Sequence, residues 1–361
     1  MYKIYQIKPF IGKEEIMNVQ DALNDKWITE GNYANEFIEK IKEITKAKYV
    51  FLVPNGTLAI YLSLASLDVR QKDEVIIPDF TFNASSSPVR FLGGKPVFVD
   101  VNDGDFNIDV SKIEESINVR TKAIMPVHIY GQCCDMSPLL ELAEKHGLKV
   151  IEDSAEAFGV KYNGKSAGTI GDVGVYSFFA DKTVTTGEGG AIVTNDDELA
   201  LKIKIMRNQG REKSGSFKHP HIGMNFRMTD LQCAVGCAQL DKFNEIRFEK
   251  IENFIYYKSL LEDCDVRFIE INKYSTFIPF RVPIRVNKKE KVMDYLEENE
   301  VQTRSVFYPL HRQPCWRYLD YKKNDFPVSN NIFNEGICLP VYPGLKDYEI
   351  EYICEKIIEV L

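Results

Sequence analysis

No apolar run in this chain of 361 residues is long enough to span a membrane. The opening Met1-Tyr2-Lys3-Ile4-Tyr5-Gln6-Ile7-Lys8-Pro9 also lacks the apolar centre of a secretory leader. Excess positive charge is missing: 45 lysines and arginines stand against 53 acidic residues, a formal charge of −8. That balance argues against a general nucleic-acid or bilayer-binding surface, so any anion site must be built locally. The eight cysteines make no disulfide framework, because Cys133 and Cys134 are adjacent, Cys233 and Cys237 are a helical turn apart, and the rest are scattered. They read as reduced thiols and the chain as cytoplasmic. No metal site is expected, since His219 and His221, two residues apart in a polar loop, have no cysteine or acid at ligand spacing. A strand-linked Gly-x-Gly-x-x-Gly turn is absent, which weighs against a nicotinamide-dependent reductase.

What is present is an ordinary globular composition, 44% hydrophobic and 27% charged. Short apolar runs at 49–53, 74–78, 95–100, 121–127, 148–151 and 191–194 alternate with helical patterns such as 58–67, 137–146 and 197–207. This alternation predicts an α/β fold, a mainly parallel sheet covered by helices on both faces, with ligands collecting at the carboxyl ends of its strands. Ile16, Val19 and Leu23 share one face of a helix over 12–24, and Trp27 after it reads as packing. The polar stretch 209–224 reads as a long surface loop. Later the pattern changes: over 277–286, Phe280, Val282, Ile284 and Val286 alternate with Arg281 and Arg285, as in a half-solvated antiparallel strand. Residues 1–245 are assigned to an N-terminal arm and a large domain, and 246–361 to a smaller C-terminal α+β domain.

The candidate chemistry centres on Lys182, set between the apolar Val175-Tyr176-Ser177-Phe178-Phe179 and the turn Thr185-Thr186-Gly187-Glu188-Gly189-Gly190. A lysine desolvated there would offer a free amine to a carbonyl, such as that of pyridoxal phosphate; by residue type alone, an exposed loop lysine is the commoner case. Asn55-Gly56-Thr57, between a strand and a helix, would turn open backbone amides toward a phosphate. Phe80 or Phe82 would stack on a flat ring while the other packs in the core. Of Glu152 and Asp153, one would hold a pyridine nitrogen protonated and the other cap a helix start. Arg304, Tyr308 and His311 would reach the cleft between the domains, although a lone histidine is more often structural.

Taken in order, Asn55-Gly56-Thr57, Thr81-Phe82, Glu152-Asp153-Ser154-Ala155-Glu156, Ser177 through Lys182 to Gly190, and Asn225 with Arg227 resemble the DegT/DnrJ/EryC1/StrS sugar aminotransferases over essentially the whole chain. That resemblance implies a fold-type-I pyridoxal 5'-phosphate enzyme. Lys182 would carry the cofactor and move protons, Asp153 would face the pyridinium nitrogen, Glu156 the ring hydroxyl, and Phe82 the ring. Gly56, Thr57 and Ser177 would bind the phosphate, with Asn225 supplied by the other subunit of a homodimer. Thr29, Arg227, Tyr308 and His311 would line the sugar-nucleotide site. The threonine-containing turn after Lys182 is similar to members that aminate C4 of a nucleotide-linked 4-keto-6-deoxyhexose with glutamate as donor, although Ser305 stands where those members usually have proline. The alternatives are a dTDP- or UDP-sugar aminotransferase of the viosamine type, or a non-catalytic regulator that keeps the fold.

Overall fold

A computed structural model describes residues 2–213 and 215–361. Strands β1 (Tyr49–Val53), β2 (Glu74–Pro78), β3 (Lys95–Val99), β4 (Thr121–Ile124) and β5 (Lys149–Asp153) precede a small hairpin of β6 (Lys161–Tyr162) and β7 (Lys165–Ser166). After it come β8 (Val173–Ser177) and β9 (Gly190–Thr194). Seven of these form one sheet in the order β1-β9-β8-β5-β4-β2-β3. The β8-β5-β4-β2-β3 block is parallel, and β9 is inserted antiparallel between β8 and β1. Helices cover both faces, so strands such as β2 and β8 are buried at every position and their sequences run apolar without alternation.

A second, antiparallel sheet follows, in the order β10 (Arg267–Phe268), β11 (Val282–Arg285), β13 (Gly336–Leu339), β12 (Arg304–Ser305). It shares a core with the helices Phe243–Leu260, Lys289–Glu298 and Asp347–Ile358, through Phe254, Tyr257, Val292, Leu296, Ile350 and Ile353. The helix Phe243–Leu260 runs unbroken through residue 245, and the two sheets lie on either side of it in the chain.

Two readings of amphipathic pattern are corrected. Arg281 and Arg285 are not solvated: both are buried, Arg281 paired with Asp181 at 2.6 Å and Arg285 with Glu335 at 2.8 Å and Asp103 at 2.6 Å. Each charge is neutralised by an acid from a distant segment, which alternation along one strand does not reveal. On the first helix, Lys13–Asn24, the inward residues are Glu15 and Ala22, whereas Ile16 is 65% and Leu23 54% exposed. Glu15 is drawn in by the Gly12 amide at 2.7 Å, the Gln239 side chain at 2.7 Å and the Lys242 ammonium at 2.6 Å. Trp27, read as packing, is exposed as well.

Candidate active site

A cavity of 620 Å³ opens at the carboxyl ends of the parallel strands and is lined by Gly56, Thr57, Asp153, Glu156, Ser177 and Lys182, among others. Each residue arrives there for a local reason. Past β1, the Asn55 side chain accepts the Leu58 amide at 2.9 Å and starts the helix Gly56–Ser66. First-turn amides have no acceptor within a helix, and those of Gly56 and Thr57 sit at the cavity wall beside Ser177. A Cβ on Gly56 would lie 2.9 Å from the Ser177 Cβ, so only glycine allows this approach. The result is a positive helix end fitted for an anion.

Asp153 closes β5, and its neighbour Glu152 points to the opposite side, as strand geometry requires. One Asp153 oxygen accepts the Ser85 hydroxyl at 2.7 Å and the other the Ala155 amide at 3.2 Å, while burial holds the carboxyl above the usual carboxylate range. Glu152 caps no helix. It accepts the Gly168, Ile170 and Gly171 amides at 2.8, 2.6 and 2.7 Å and meets His128 Nε2 at 2.9 Å, organising the loop before β8.

Lys182 lies in the turn after β8, largely enclosed. Its Nζ is 3.8 Å from Glu156 Oε1 and 4.1 Å from the centre of the Phe280 ring. Glu156 also accepts the Tyr130 amide at 2.9 Å; burial pushes its carboxyl up to about 7, against the pull of the Lys182 charge. Phe82, 61% exposed, forms part of the wall, whereas Phe80 is wholly buried in the core. Tyr308 lines the mouth, packed edge-on against Phe333 at 4.9 Å, with Arg304 nearby. Phe280 and Arg281 also line the cavity and were not singled out from the sequence, where Arg281 read as a solvent-facing residue.

Four predicted residues lie outside this cavity in the single chain. Thr29 is bridged to Thr229, Asn225 accepts the Arg227 amide at 3.1 Å, and Arg227 turns to Asn208 at 2.8 Å and Glu30 at 3.5 Å. These three form a separate cluster. His311 is buried against Asp79: its amide and Nδ1 lie 2.8 and 2.7 Å from the two Asp79 oxygens, and its Nε2 lies 3.3 Å from the Lys323 carbonyl. With both ring nitrogens engaged it cannot face a ligand. It instead ties the segment bearing Tyr308 to the end of β2. His311→Ala should therefore cost about 2–4 kcal/mol, the penalty of leaving one member of a buried pair alone. A thermal unfolding midpoint equal to that of the parent would refute this role.

The profile of the DegT/DnrJ/EryC1/StrS aminotransferase family matches residues 9–358. The chain belongs to this family. GDP-perosamine synthase of Escherichia coli O157:H7 is 38% identical over 359 residues, covering 99% of this chain and 97% of that protein. A Streptococcus pneumoniae protein solved in its PLP form superposes with a TM-score of 0.93 at 26% identity, over 98% of each chain. Helicobacter pylori PseC, an aminotransferase involved in the biosynthesis of pseudoaminic acid, superposes with a TM-score of 0.92 at 26% identity, over 98% of this chain and 97% of that one. The architecture is the family's fold-type-I arrangement, a large mixed sheet flanked by helices and followed by a smaller C-terminal part. The residues present suit a phosphorylated pyridine aldehyde: an enclosed amine, a buried carboxyl at the end of β5, and a glycine-walled helix start for the phosphate.

Proposed function

We propose that this chain is a pyridoxal-phosphate-dependent aminotransferase that moves an amino group from glutamate to C4 of a nucleotide-linked 4-keto-6-deoxyhexose. The observation that carries the reading is the convergence of Lys182, Asp153, Glu156 and the open helix start at Gly56 on one cavity. When bound, pyridoxal phosphate supplies an aldehyde carbon for the amine and a ring that takes up the electron pair of a broken C–H bond. Gly56, Thr57 and Ser177 would bind the phosphate, and Asp153 would hold a proton at the ring nitrogen, its orientation fixed by the Ser85 hydroxyl at 2.7 Å. Glu156 would face the ring hydroxyl, and Phe82 would cover the ring and limit water. Lys182 Nζ would move the proton between the reacting substrate carbon and the aldehyde carbon of the cofactor.

Arg304 and Tyr308 receive the sugar nucleotide at the mouth. Asn225, with Thr29 and Arg227, serves the cavity of a second copy in a homodimer. Their position outside their own cavity supports this, as do the exposed apolar residues Ile16, Leu23 and Trp27. The threonine-containing turn after Lys182 and the likeness to GDP-perosamine synthase support C4 as the site of amination. Incubation with glutamate and a panel of GDP-, dTDP- and UDP-linked 4-keto and 3-keto sugars, with products read by mass and NMR, tests the reading. A 4-amino sugar nucleotide is expected. Amination at C3 would overturn the position, and no amination of any sugar would overturn the function.

A further inference from the structure

Behind the cavity, the helix Phe243–Leu260 carries Lys250, which is 2% exposed and has no carboxylate partner among the described residues. Among the described residues its Nζ reaches only the Phe280 carbonyl, at 3.4 Å. The Phe280 ring in turn lies under Lys182 Nζ at 4.1 Å and beside the Arg281 guanidinium at 4.7 Å. Lys250 and Lys182 also line one narrow space, together with Lys8 of the N-terminal arm. Three cations thus gather about one residue. The acids facing them are Asp181, already paired with Arg281 at 2.6 Å, and Glu156, 3.8 Å from Lys182. An unpaired ammonium deep in protein is expensive, and its retention calls for a use.

We propose that Lys250 is a positioning residue for Lys182, holding the Phe280 peptide from behind and so fixing the ring against which the Lys182 amine packs. This rests on Lys182 being the reactive amine of the proposed function. Burial, with the Arg281 charge next, pushes Lys250 itself down to about 7. Its charge is therefore present below that pH and gone well above it. An unfolded lysine keeps its proton to about pH 10.4, so the cost to stability is complete below about 7 and is relieved as pH rises toward 10.4.

The test needs no cofactor. Reductive methylation of Lys182 by formaldehyde and a borohydride, followed by peptide mass spectrometry, compares the parent protein with Lys250→Met and Lys250→Gln. Lys250→Gln keeps a donor for the Phe280 carbonyl but no charge. At one fixed pH the Lys182 rate in Lys250→Met should depart from that of the parent by at least about threefold, and Lys250→Gln should bring it back close to the parent rate. Lys250→Met should also unfold at a higher temperature than the parent at about pH 6.5, a gain that fades toward about pH 10. Equal Lys182 rates in all three proteins would overturn the inference, as would a rate in Lys250→Gln no nearer the parent's than that of Lys250→Met. Failure of the sugar panel would overturn the proposed function and leave these rates to be read by themselves.

Discussion

Lys182→Ala is expected to fold with the unfolding temperature of the parent protein and to lose turnover by roughly 10⁴-fold or more, because in the proposed function one amine supplies both the covalent link and the proton transfer. The side chain is held by few bonds of its own: its Nζ meets Glu156 at 3.8 Å and the Phe280 ring at 4.1 Å. Its removal therefore disturbs little packing. It does remove the cation that draws the Glu156 carboxyl down, so Glu156 should rise further above its present value of about 7 and stay protonated across the neutral range. Two measurements check this: single-turnover spectra with glutamate, and a pH titration of the variant. Turnover within tenfold of the parent would end the case for Lys182 as the reactive amine.

Glu152→Ala should destabilise the fold by about 3–5 kcal/mol, the largest stability effect of any single change considered. Three backbone amides, those of Gly168, Ile170 and Gly171, and the ring of His128 converge on this one carboxylate, and the residue is wholly buried. Truncation leaves all four donors without an acceptor and admits no water in exchange. The loop they hold leads into β8, which delivers Ser177 and then Lys182 to the cavity. Loss of binding at the cavity should accompany the loss of stability, whereas Asp153→Asn, at the facing position, should change chemistry far more than unfolding temperature. Thermal melts of the two variants separate the roles. A Glu152→Ala protein as stable as the parent would show that the loop carries itself.

Much of this was legible along the chain. The strands at 49–53 and 74–78, the helix at 197–207, the glycine beside the helix start and the lysine after Phe179 are local features, set by periodicity over a few residues or by one unusual residue type. They also come in an order that identifies the family. The pair Phe80 and Phe82 was legible only as a pair; which one is core is decided by the burial of Phe80 against Phe106, Tyr130 and Phe307.

What stayed hidden depends on partners far apart in sequence. Arg281 finds Asp181 a hundred residues away, and His311 finds Asp79 at a separation of 232. Nothing in either segment announces the other, so Arg281 read as solvated and His311 as a ligand residue. Lys250 sat unremarked in a charged helix because its burial comes from the segment bearing Phe280, just before β11, and from the N-terminal arm folding over it. Local pattern by itself determined the main elements and the family, and it singled out Lys182 as the candidate amine. The tertiary structure decided which charges are paired, which are stranded in the interior and which candidates share a cavity, because electrostatic energy depends on distance and solvent access, neither of which is written in spacing along a chain.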